Sequence, residues 1–456
     1  MTQLLFLLLL FGSGYYAFRN FAKVYRNIHL GLPQTTSGDV VQRWRNVGLV
    51  ALGQKKMFKN WTPAVLHLFI YVAFVFTQIE LIEILSDGTF GIHRFTSKYL
   101  GGFYTFIVSF IEILSVLAFI ATIAFLARRY VLKVARFQKP ELKGFPTRDA
   151  ATILILEIIL IAAIFCMNGA DTVLQQRLPE NYHHTGFFAV SGWLGPALFE
   201  NLSTGTLIVL ERIGWWGHIL LVLIYLNYLP FSKHLHIVLA FFNTYYARLN
   251  PRGEMQNMPA IMHEVKNMMG LPSDNLAETV TGETHEEILP VFGANDVTSL
   301  GWKNILGAYS CTECGRCTAV CPANITGKKL SPRKIMMDVR DRVEEIGRKL
   351  DSGDVQYINK ETHAGDTVLS EKNFSDGRSL FDYILPEEIN ACTACNACVE
   401  ACPILINPLD IILEMRRYEI LTLSKGPADW VPMFTSLENS GSVWQMSVER
   451  EAWAKN

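Results

Sequence analysis

Eight of the nine cysteines in this chain of 456 residues fall into two short runs with the same spacing. Each run has the form C-x2-C-x2-C-x3-C followed by proline. The first run contains Cys311, Cys314, Cys317 and Cys321, and the second contains Cys392, Cys395, Cys398 and Cys402. This spacing is the bacterial pattern for [4Fe–4S] clusters, each of which binds four thiolates. Zinc is the alternative, but a zinc site normally uses only two C-x2-C pairs. The pattern therefore predicts two [4Fe–4S] clusters.

The fourth cysteine of each run has a predicted role of its own. In two-cluster ferredoxins the fourth cysteine binds the cluster of the other run. We therefore assign one cluster to Cys311, Cys314, Cys317 and Cys402, and the other to Cys392, Cys395, Cys398 and Cys321. Clustered cysteines also indicate a reducing compartment, because disulfide-linked secreted proteins spread their cysteines along the chain.

Histidines form a second group of candidate ligands, because they lie in apolar segments where ionisable side chains are costly. His67 lies in the second apolar segment, and His218 and His236 lie in or just beyond the fifth. The last two are 18 residues apart, which is five helical turns, so an unbroken helix would place them on one face. His234 would then point nearly the opposite way, although Pro230 can disturb this phase. Facing histidines in a helix bundle can bind haem iron from both sides. The alternative is that they are packing or interfacial residues.

The elements that must position these ligands begin with five apolar segments near residues 3–18, 62–84, 103–127, 150–168 and 213–232. A membrane-spanning helix needs about 20 mostly apolar residues, and half of this chain is hydrophobic. The first segment lacks a basic start and a cleavage site, so we expect an uncleaved anchor.

Charge in the loops predicts the orientation of the chain. Lys and Arg are abundant in residues 19–59 and 128–149 and sparse in the alternate loops, and such residues mark the cytoplasmic side. The N-terminus is therefore predicted outside and the cysteine runs in the cytoplasm. The net charge of -1 gives no reason to expect a nucleic-acid partner.

We predict an all-α fold of four parts. Residues 1–245 form a five-helix transmembrane cytochrome b bundle, 246–300 a membrane-surface linker, 301–425 an α-helical dicluster ferredoxin domain and 426–456 a C-terminal connector. A helix is expected from Pro332 with Ser331 as its N-cap, and another after the second run. Residues 351–380 are polar and are expected to form a surface insertion.

Part of the membrane half resembles a known family. The stretch PFSKHLH, with a histidine 18 residues upstream, resembles the gamma-type cytochrome b subunit of respiratory nitrate reductase. In that family the second helix carries two histidines ten residues apart; His67 matches the first, but Thr77 stands at the second. The resemblance implies one haem b on His67 and His236. A second haem on His218 would need a substitute partner from the outer-loop histidines, which are His93, His183 and His184.

The sequences CGRCTAVCPANITGKKLSPRKIM and ACTACNACVEACPILINP resemble the iron–sulfur part of heterodisulfide reductase-type proteins. Membrane oxidoreductases that link electron-transferring flavoprotein to menaquinone share this part. Fused members continue into two cysteine-rich CCG repeats, which these 456 residues do not contain, so the resemblance implies that this part is on another polypeptide or absent. We predict a partner that is a CCG-type iron–sulfur or flavoprotein subunit.

The resulting prediction is a quinone-linked oxidoreductase subunit in a bacterial-type inner membrane. It would pass electrons between a cytoplasmic redox partner and menaquinone or another quinone, through two clusters and haem b. One alternative is a heterodisulfide or sulfur-compound reductase subunit that draws electrons from quinol. Another is a non-catalytic membrane redox sensor, which the absence of a visible output domain disfavours.

Overall fold

The computed structural model describes residues 2–36, 38–251, 253–272, 291–352, 376–444 and 452–454. These residues are mostly helical and contain no β-strand, although one isolated bridge pairs Leu32 with Gly301. The longer helices are α1 Thr2–Ile28, α2 Trp61–Phe90, α3 Gly102–Tyr130, α4 Phe145–Arg177, α5 Thr204–Tyr228, α6 His236–Tyr245, α7 Pro259–Met268, α8 Trp302–Ser310, α9 Pro332–Asp351, α10 Pro408–Arg417 and α11 Trp430–Ser440. Shorter α-helices cover Val40–Asn46, Ser97–Leu100, Ser191–Phe199, Arg316–Ala319, Pro322–Ile325, Pro386–Asn390 and Ala397–Ala401.

Helices α1 to α5 correspond to the five apolar segments, and each is long and apolar enough to cross a membrane. The five segments predicted from the sequence are therefore confirmed as helices, which extend beyond the apolar runs except at the C-terminal end of α5. Helix α4 packs most extensively on α5, and α2 on α3. The α4–α5 approach depends on Gly214, because a Cβ there would lie 2.6 Å from the Met167 nitrogen and 2.7 Å from the Ala163 oxygen. Small residues allow such close contact between membrane helices.

The segment after α5 differs from the prediction. Helix α5 ends at Tyr228, and two 3-10 turns, Leu229–Phe231 and Lys233–Leu235, precede α6. Pro230 lacks the amide hydrogen that would continue the α-helix, and Ser232 is extended with φ -110° and ψ 153°. His236 begins α6. The prediction that His218 and His236 share one face of a continuous helix is therefore wrong.

The cysteine-rich part has one hydrophobic core, to which the membrane helices contribute. Ile305 from α8, Val339 from α9 and Ile411 from α10 are fully buried in it, and Ile28 from α1 and Leu235 belong to the same core. The predicted cap of α9 is confirmed, since the Ser331 side chain accepts a hydrogen bond from the Lys334 nitrogen at 3.4 Å.

The segments around this core include parts of the predicted linker and insertion. Residues 291–300, which the sequence placed in the linker, bury Ala294, Val297 and Leu300 in the core. Of the predicted surface insertion, residues 353–375 lie outside the described residues. In the predicted connector, α11 has no buried residue.

Candidate iron–sulfur and haem sites

The two cysteine runs repeat one backbone geometry. The residue before the second cysteine is left-handed in both, with φ 55° at Glu313 and 53° at Ala394. The residue after that cysteine is also left-handed, with φ 71° at Gly315 and 59° at Asn396. Because L-residues with side chains rarely adopt this conformation, its recurrence at equivalent places indicates a turn shaped by the same requirement in both runs. Such turns bring closely spaced cysteines around one centre.

The second predicted quartet lines a single cavity. Cys321 from the first run borders it together with Cys392, Cys395 and Cys398 from the second, and Pro322, Leu330, Leu409 and Ile412 form part of its apolar wall. The chain therefore crosses over, so that the fourth cysteine of the first run stands with the first three of the second. This is the arrangement that the ligand-sharing rule predicts.

The first predicted quartet is also brought together. Cys317 lies close enough to Cys311, Cys314 and Cys402 to interact with each electrostatically. Burial raises the pKa of the Cys311 thiol to about 12 and that of Cys402 to about 11. These thiols are therefore protonated at neutral pH until iron binds, and iron must displace their protons.

The spacing of these side chains bears on the zinc alternative. Among the described residues, no three His, Cys, Asp or Glu side chains converge as the ligands of a single metal ion do. Mononuclear zinc would require thiolate sulfurs about 2.3 Å from one ion.

Exposure differs between the two quartets. Cys395 is exposed and Cys392 half-buried, whereas Cys311 and Cys402 are buried. Cys395 is thus the cysteine nearest to solvent, whereas Cys321 and Cys398 of the same quartet are buried. Arg316, which stands between Cys314 and Cys317 in the sequence, donates from its guanidinium to the carbonyls of Lys56 and Met57, in the loop before α2, at 3.3 to 3.4 Å.

Two of the predicted histidines have their Nδ1 atoms in contact with an oxygen acceptor. The His67 Nδ1 lies 3.1 Å from the Gln54 Oε1, and the His236 Nδ1 lies 3.0 Å from the Lys233 carbonyl oxygen. A histidine whose Nδ1–H is held in this way has its Nε2 free to bind a metal. His67 and His236 are close enough to interact electrostatically. Burial lowers the pKa of His236, which favours the neutral, ligating form.

His234 belongs to the same group, contrary to the prediction that it points elsewhere. Its ring centroid lies 5.5 Å from that of His236, and its Nδ1 contacts the Tyr225 hydroxyl. The break after α5 rotates residues 233–236 away from the phase of an ideal helix, and this explains the difference. The structure thus brings together three histidines, of which the sequence singled out two.

His218 stands apart from these three. It is 5% exposed on α5, and its Nδ1 has no hydrogen-bond partner among the described residues. The suggested substitutes have other contacts: His93 Nε2 lies 3.1 Å from the Asp171 carboxylate, and His183 Nε2 lies 2.6 Å from the Ser97 hydroxyl. His184 accepts a hydrogen bond from the Gly186 nitrogen at 3.1 Å. No described contact joins any of them to His218.

Sequence reasoning missed a buried polar network at the opposite end of the bundle. Arg94 donates to Asp171 at 2.8 Å, to the Tyr104 hydroxyl at 2.7 Å and to Asn168 at 2.8 Å. The Asn168 amide in turn donates to Glu112 at 3.3 Å. Charged residues within apolar segments are the signal that could have revealed it, because the rule that singled out the histidines applies equally to carboxylates.

Comparison with known proteins identifies the class of the cysteine-rich part. Residues 310–406 match the model of the 4Fe-4S dicluster domain family. The match includes both runs, so the chain carries a dicluster [4Fe–4S] domain. The match confirms the prediction of an iron–sulfur domain at the level of the domain family.

The curated relatives extend the similarity to nearly the whole chain. It is 27% identical over 447 residues to the probable iron-sulfur-binding oxidoreductase FadF of Bacillus subtilis, covering 93% of this chain and 57% of that protein. It is 25% identical over 416 residues to the EtfAB:quinone oxidoreductase of Syntrophomonas wolfei, covering 89% and 52%. It is 33% identical over 144 residues to a probable membrane-anchored ferredoxin of Chromohalobacter salexigens, covering 29% and 19%.

The chain thus spans little more than half the length of the first two relatives. Both are named as oxidoreductases, one of them linked to quinone, which supports a redox role for the similar chain. No solved structure matches.

Proposed function

We propose that this chain is an electron-transfer subunit of a membrane quinone oxidoreductase, with the two cysteine quartets and the His67–His236 pair as its cofactor sites. The observation that carries the proposal is the contact made by Arg316. This residue lies within the first cysteine run, binds carbonyls of the loop before α2 and interacts electrostatically with His67 of α2. The first quartet is therefore adjacent to the histidine group.

The ligand sets form a series from the surface to the membrane helices. In the proposed series the quartet with the exposed Cys395 exchanges electrons with the partner, the quartet with Cys402 follows, and the histidines come last. When bound, two [4Fe–4S] clusters and haem b exchange single electrons. The protein fixes the sites at which they do so.

The residues at the histidine site fit haem b. Gln54 and the Lys233 carbonyl hold the Nδ1 atoms of His67 and His236, which sets the tautomer and ring orientation of each. His67 comes from a membrane helix, and His236 begins the helix that follows α5. His218 has no ligand partner among the described contacts, so we propose one haem.

The proposed location is a bacterial-type inner membrane, with the N-terminus outside and the cysteine domain in the cytoplasm. Lysines and arginines near the cysteine-rich end of the bundle support this orientation; they include Lys55, Lys56, Lys59, Arg128 and Arg129. We propose menaquinone or another membrane quinone as one substrate, because a relative is named as a quinone oxidoreductase.

The proposed electron partner is electron-transferring flavoprotein. A CCG-type iron–sulfur or flavoprotein subunit outside these 456 residues would link the two. The name of the relative from Syntrophomonas wolfei, EtfAB:quinone oxidoreductase, supports this choice. The surface around Cys395 is the proposed docking side, because the ligand nearest to solvent lies there.

The experiment is anaerobic electron transfer in the complex extracted with mild detergent, together with its co-purifying chains. Reduced electron-transferring flavoprotein is mixed with the complex, and haem absorbance is followed before and after a short-chain menaquinone is added. We expect haem reduction and then reoxidation by the quinone. Cys395→Ala should block reduction by the flavoprotein while a small-molecule reductant still reduces the haem. Haem that the flavoprotein cannot reduce, in an intact complex, would contradict the proposed partner. Quinol-driven reduction of a heterodisulfide would favour the reductase alternative.

A further inference from the structure

The first cysteine loop carries a buried charge that the second loop lacks. Glu313 and Ala394 occupy equivalent positions in C-T-x-C, with φ of 55° and 53°. Glu313 is only 4% exposed. Because Ala394 adopts the same conformation without a carboxylate, the turn itself does not require one. The Glu313 side chain must therefore be explained by contacts outside its own loop.

Those contacts reach the membrane helices. The Glu313 carboxylate accepts a hydrogen bond from Arg340 of α9 at 2.9 Å through one oxygen and from the Lys233 ammonium through the other. Lys233 is 9% exposed and lies in the turn between α5 and α6. Its ammonium also donates to the Pro146 carbonyl at the start of α4, at 2.7 Å. A carboxylate of the cysteine loop is thus held by a lysine anchored on two membrane elements.

The same lysine contacts a proposed haem ligand through its backbone. The Lys233 carbonyl oxygen lies 3.0 Å from the His236 Nδ1. The Lys233 nitrogen donates to Asp149 at 3.2 Å, and the Tyr228 hydroxyl donates to the other Asp149 oxygen at 2.6 Å. One residue therefore binds the first cysteine loop with its side chain and orients the His236 imidazole with its main chain.

We propose that the Glu313–Lys233 ion pair holds the loop of the first cysteine run against the turn that leads to His236. We also propose that the charges of this pair set the midpoint potential of the first cluster. The inference rests on the proposed function for the haem, but not for the cluster. Glu313 is a positioning residue, since it acts through Lys233. Removing Glu313 takes the hydrogen-bonded carboxylate from the buried Lys233 ammonium and leaves it only the Asp149 carboxylate at 3.8 Å, and weakening a buried ion pair in this way is unfavourable. The turn must then rearrange.

The first test replaces Glu313 by alanine, the residue that the second loop already uses. The matched control is Glu387→Ala, whose carboxylate pairs with Lys329 on the surface, where both side chains are 62% exposed. Both variants should keep about eight iron atoms per chain and the EPR signals of two clusters. In rapid mixing, Glu313→Ala should slow haem reduction by the pre-reduced clusters at least about tenfold, equivalent to about 1.4 kcal/mol. The control should match the unmodified complex.

A second measurement, the midpoint potential of each cluster, distinguishes an electrostatic effect on the first cluster from a loss of structure. Removing the negative charge of Glu313 should raise the midpoint potential of the first cluster. Lys233→Met removes a positive charge and should lower it, because cluster potentials follow the local net charge. The second cluster should keep its potential in both variants. A purely structural defect gives no reason for opposite shifts confined to one cluster.

Two further variants complete the test. Glu313→Gln keeps hydrogen-bonding capacity without charge, so it should restore most of the rate while retaining the raised potential. The double variant Glu313→Ala/Lys233→Met should be no slower than the slower single variant, because the two residues act as one pair. Unchanged rate and unchanged first-cluster potential in Glu313→Ala, with both clusters present, would overturn the proposal. If the unmodified complex binds no haem, that part of the proposed function fails. The opposite shifts in cluster potential would then still support the pair's action on the cluster, and their absence would overturn it.

Discussion

Cys402 provides the sharpest test of how the chain binds its clusters. It lies in the second run, yet it is placed with Cys314 and Cys317 of the first. We expect Cys402→Ala to lower iron from about eight atoms per chain to about four. The cluster that remains should be the one bound by the second run. The change should therefore reproduce the effect of Cys314→Ala rather than that of Cys395→Ala.

The free energy that iron must supply to deprotonate Cys402 follows from the burial of its thiol. Cys402 is 9% exposed, and burial raises its pKa from 9.0 to about 11. Deprotonating it at pH 7 costs about 5 kcal/mol, at about 1.4 kcal/mol per pH unit, and this cost is met only by the bond to iron. Because protons compete with iron for such thiols, the first cluster should also be stripped faster by a chelator at about pH 6 than at about pH 8.

The assay is EPR of the dithionite-reduced protein, combined with iron analysis, on Cys402→Ala, Cys314→Ala, Cys395→Ala and Cys321→Ala. The crossed arrangement predicts that the first two share one residual spectrum and the last two share the other. A residual spectrum of Cys402→Ala that matches Cys395→Ala, with Cys321→Ala matching Cys314→Ala, would refute it. Each run would then bind its own cluster.

Three other predictions concern the membrane half. His67→Ala and His236→Ala should each abolish a low-spin b-type absorption spectrum, whereas His234→Ala should shift that spectrum without removing it; loss of the spectrum only in His234→Ala would reassign the ligand. Arg94→Met should destabilise the detergent-solubilised protein by about 3–5 kcal/mol, because it takes the guanidinium away from the buried Asp171 carboxylate. Arg348→Met, which alters a side chain 70% exposed that pairs with the partly exposed Glu344, is the thermal-melting control, and equal melting curves would contradict a stabilising role. Reporters fused to the two ends should show the N-terminus outside and the C-terminus in the cytoplasm, and the same side for both would refute the orientation.

The iron–sulfur domain could be predicted from the sequence because the spacing within each cysteine run is local information. Four ligands within eleven positions must lie near one another in any fold, and the repeated left-handed residues at Gly315 and Asn396 follow from the shape of such a turn. The five membrane helices were equally predictable, since hydropathy and length define them. The ends of these helices were not, because the flanking polar residues continue the helix without an apolar signal.

The prediction that His218 and His236 share one helix face was wrong for a definable reason. An argument from 3.6 residues per turn holds only while the helix continues, and Pro230 introduces two 3-10 turns before His236. The Arg94 network and the Glu313–Lys233 pair were missed for another reason. Arg94 and Asp171 are 77 positions apart, and Lys233 and Glu313 are 80 apart. Such pairs arise from tertiary packing, and no short pattern in one sequence reveals them.

Electron transfer over fixed steps requires the cysteine domain to keep its position on the bundle, and the packing explains how it does so. Domains joined only by a linker move relative to each other unless their interface is large and hydrophobic. Here Val24 and Ile28 at the end of α1 share a buried core with Ile305 of α8. The Asn27 amide donates to the buried Tyr309 hydroxyl at 3.1 Å. The first membrane helix is thus part of the cysteine domain's core as well as part of the bundle. This dual role would keep the proposed cofactor sites at constant separations.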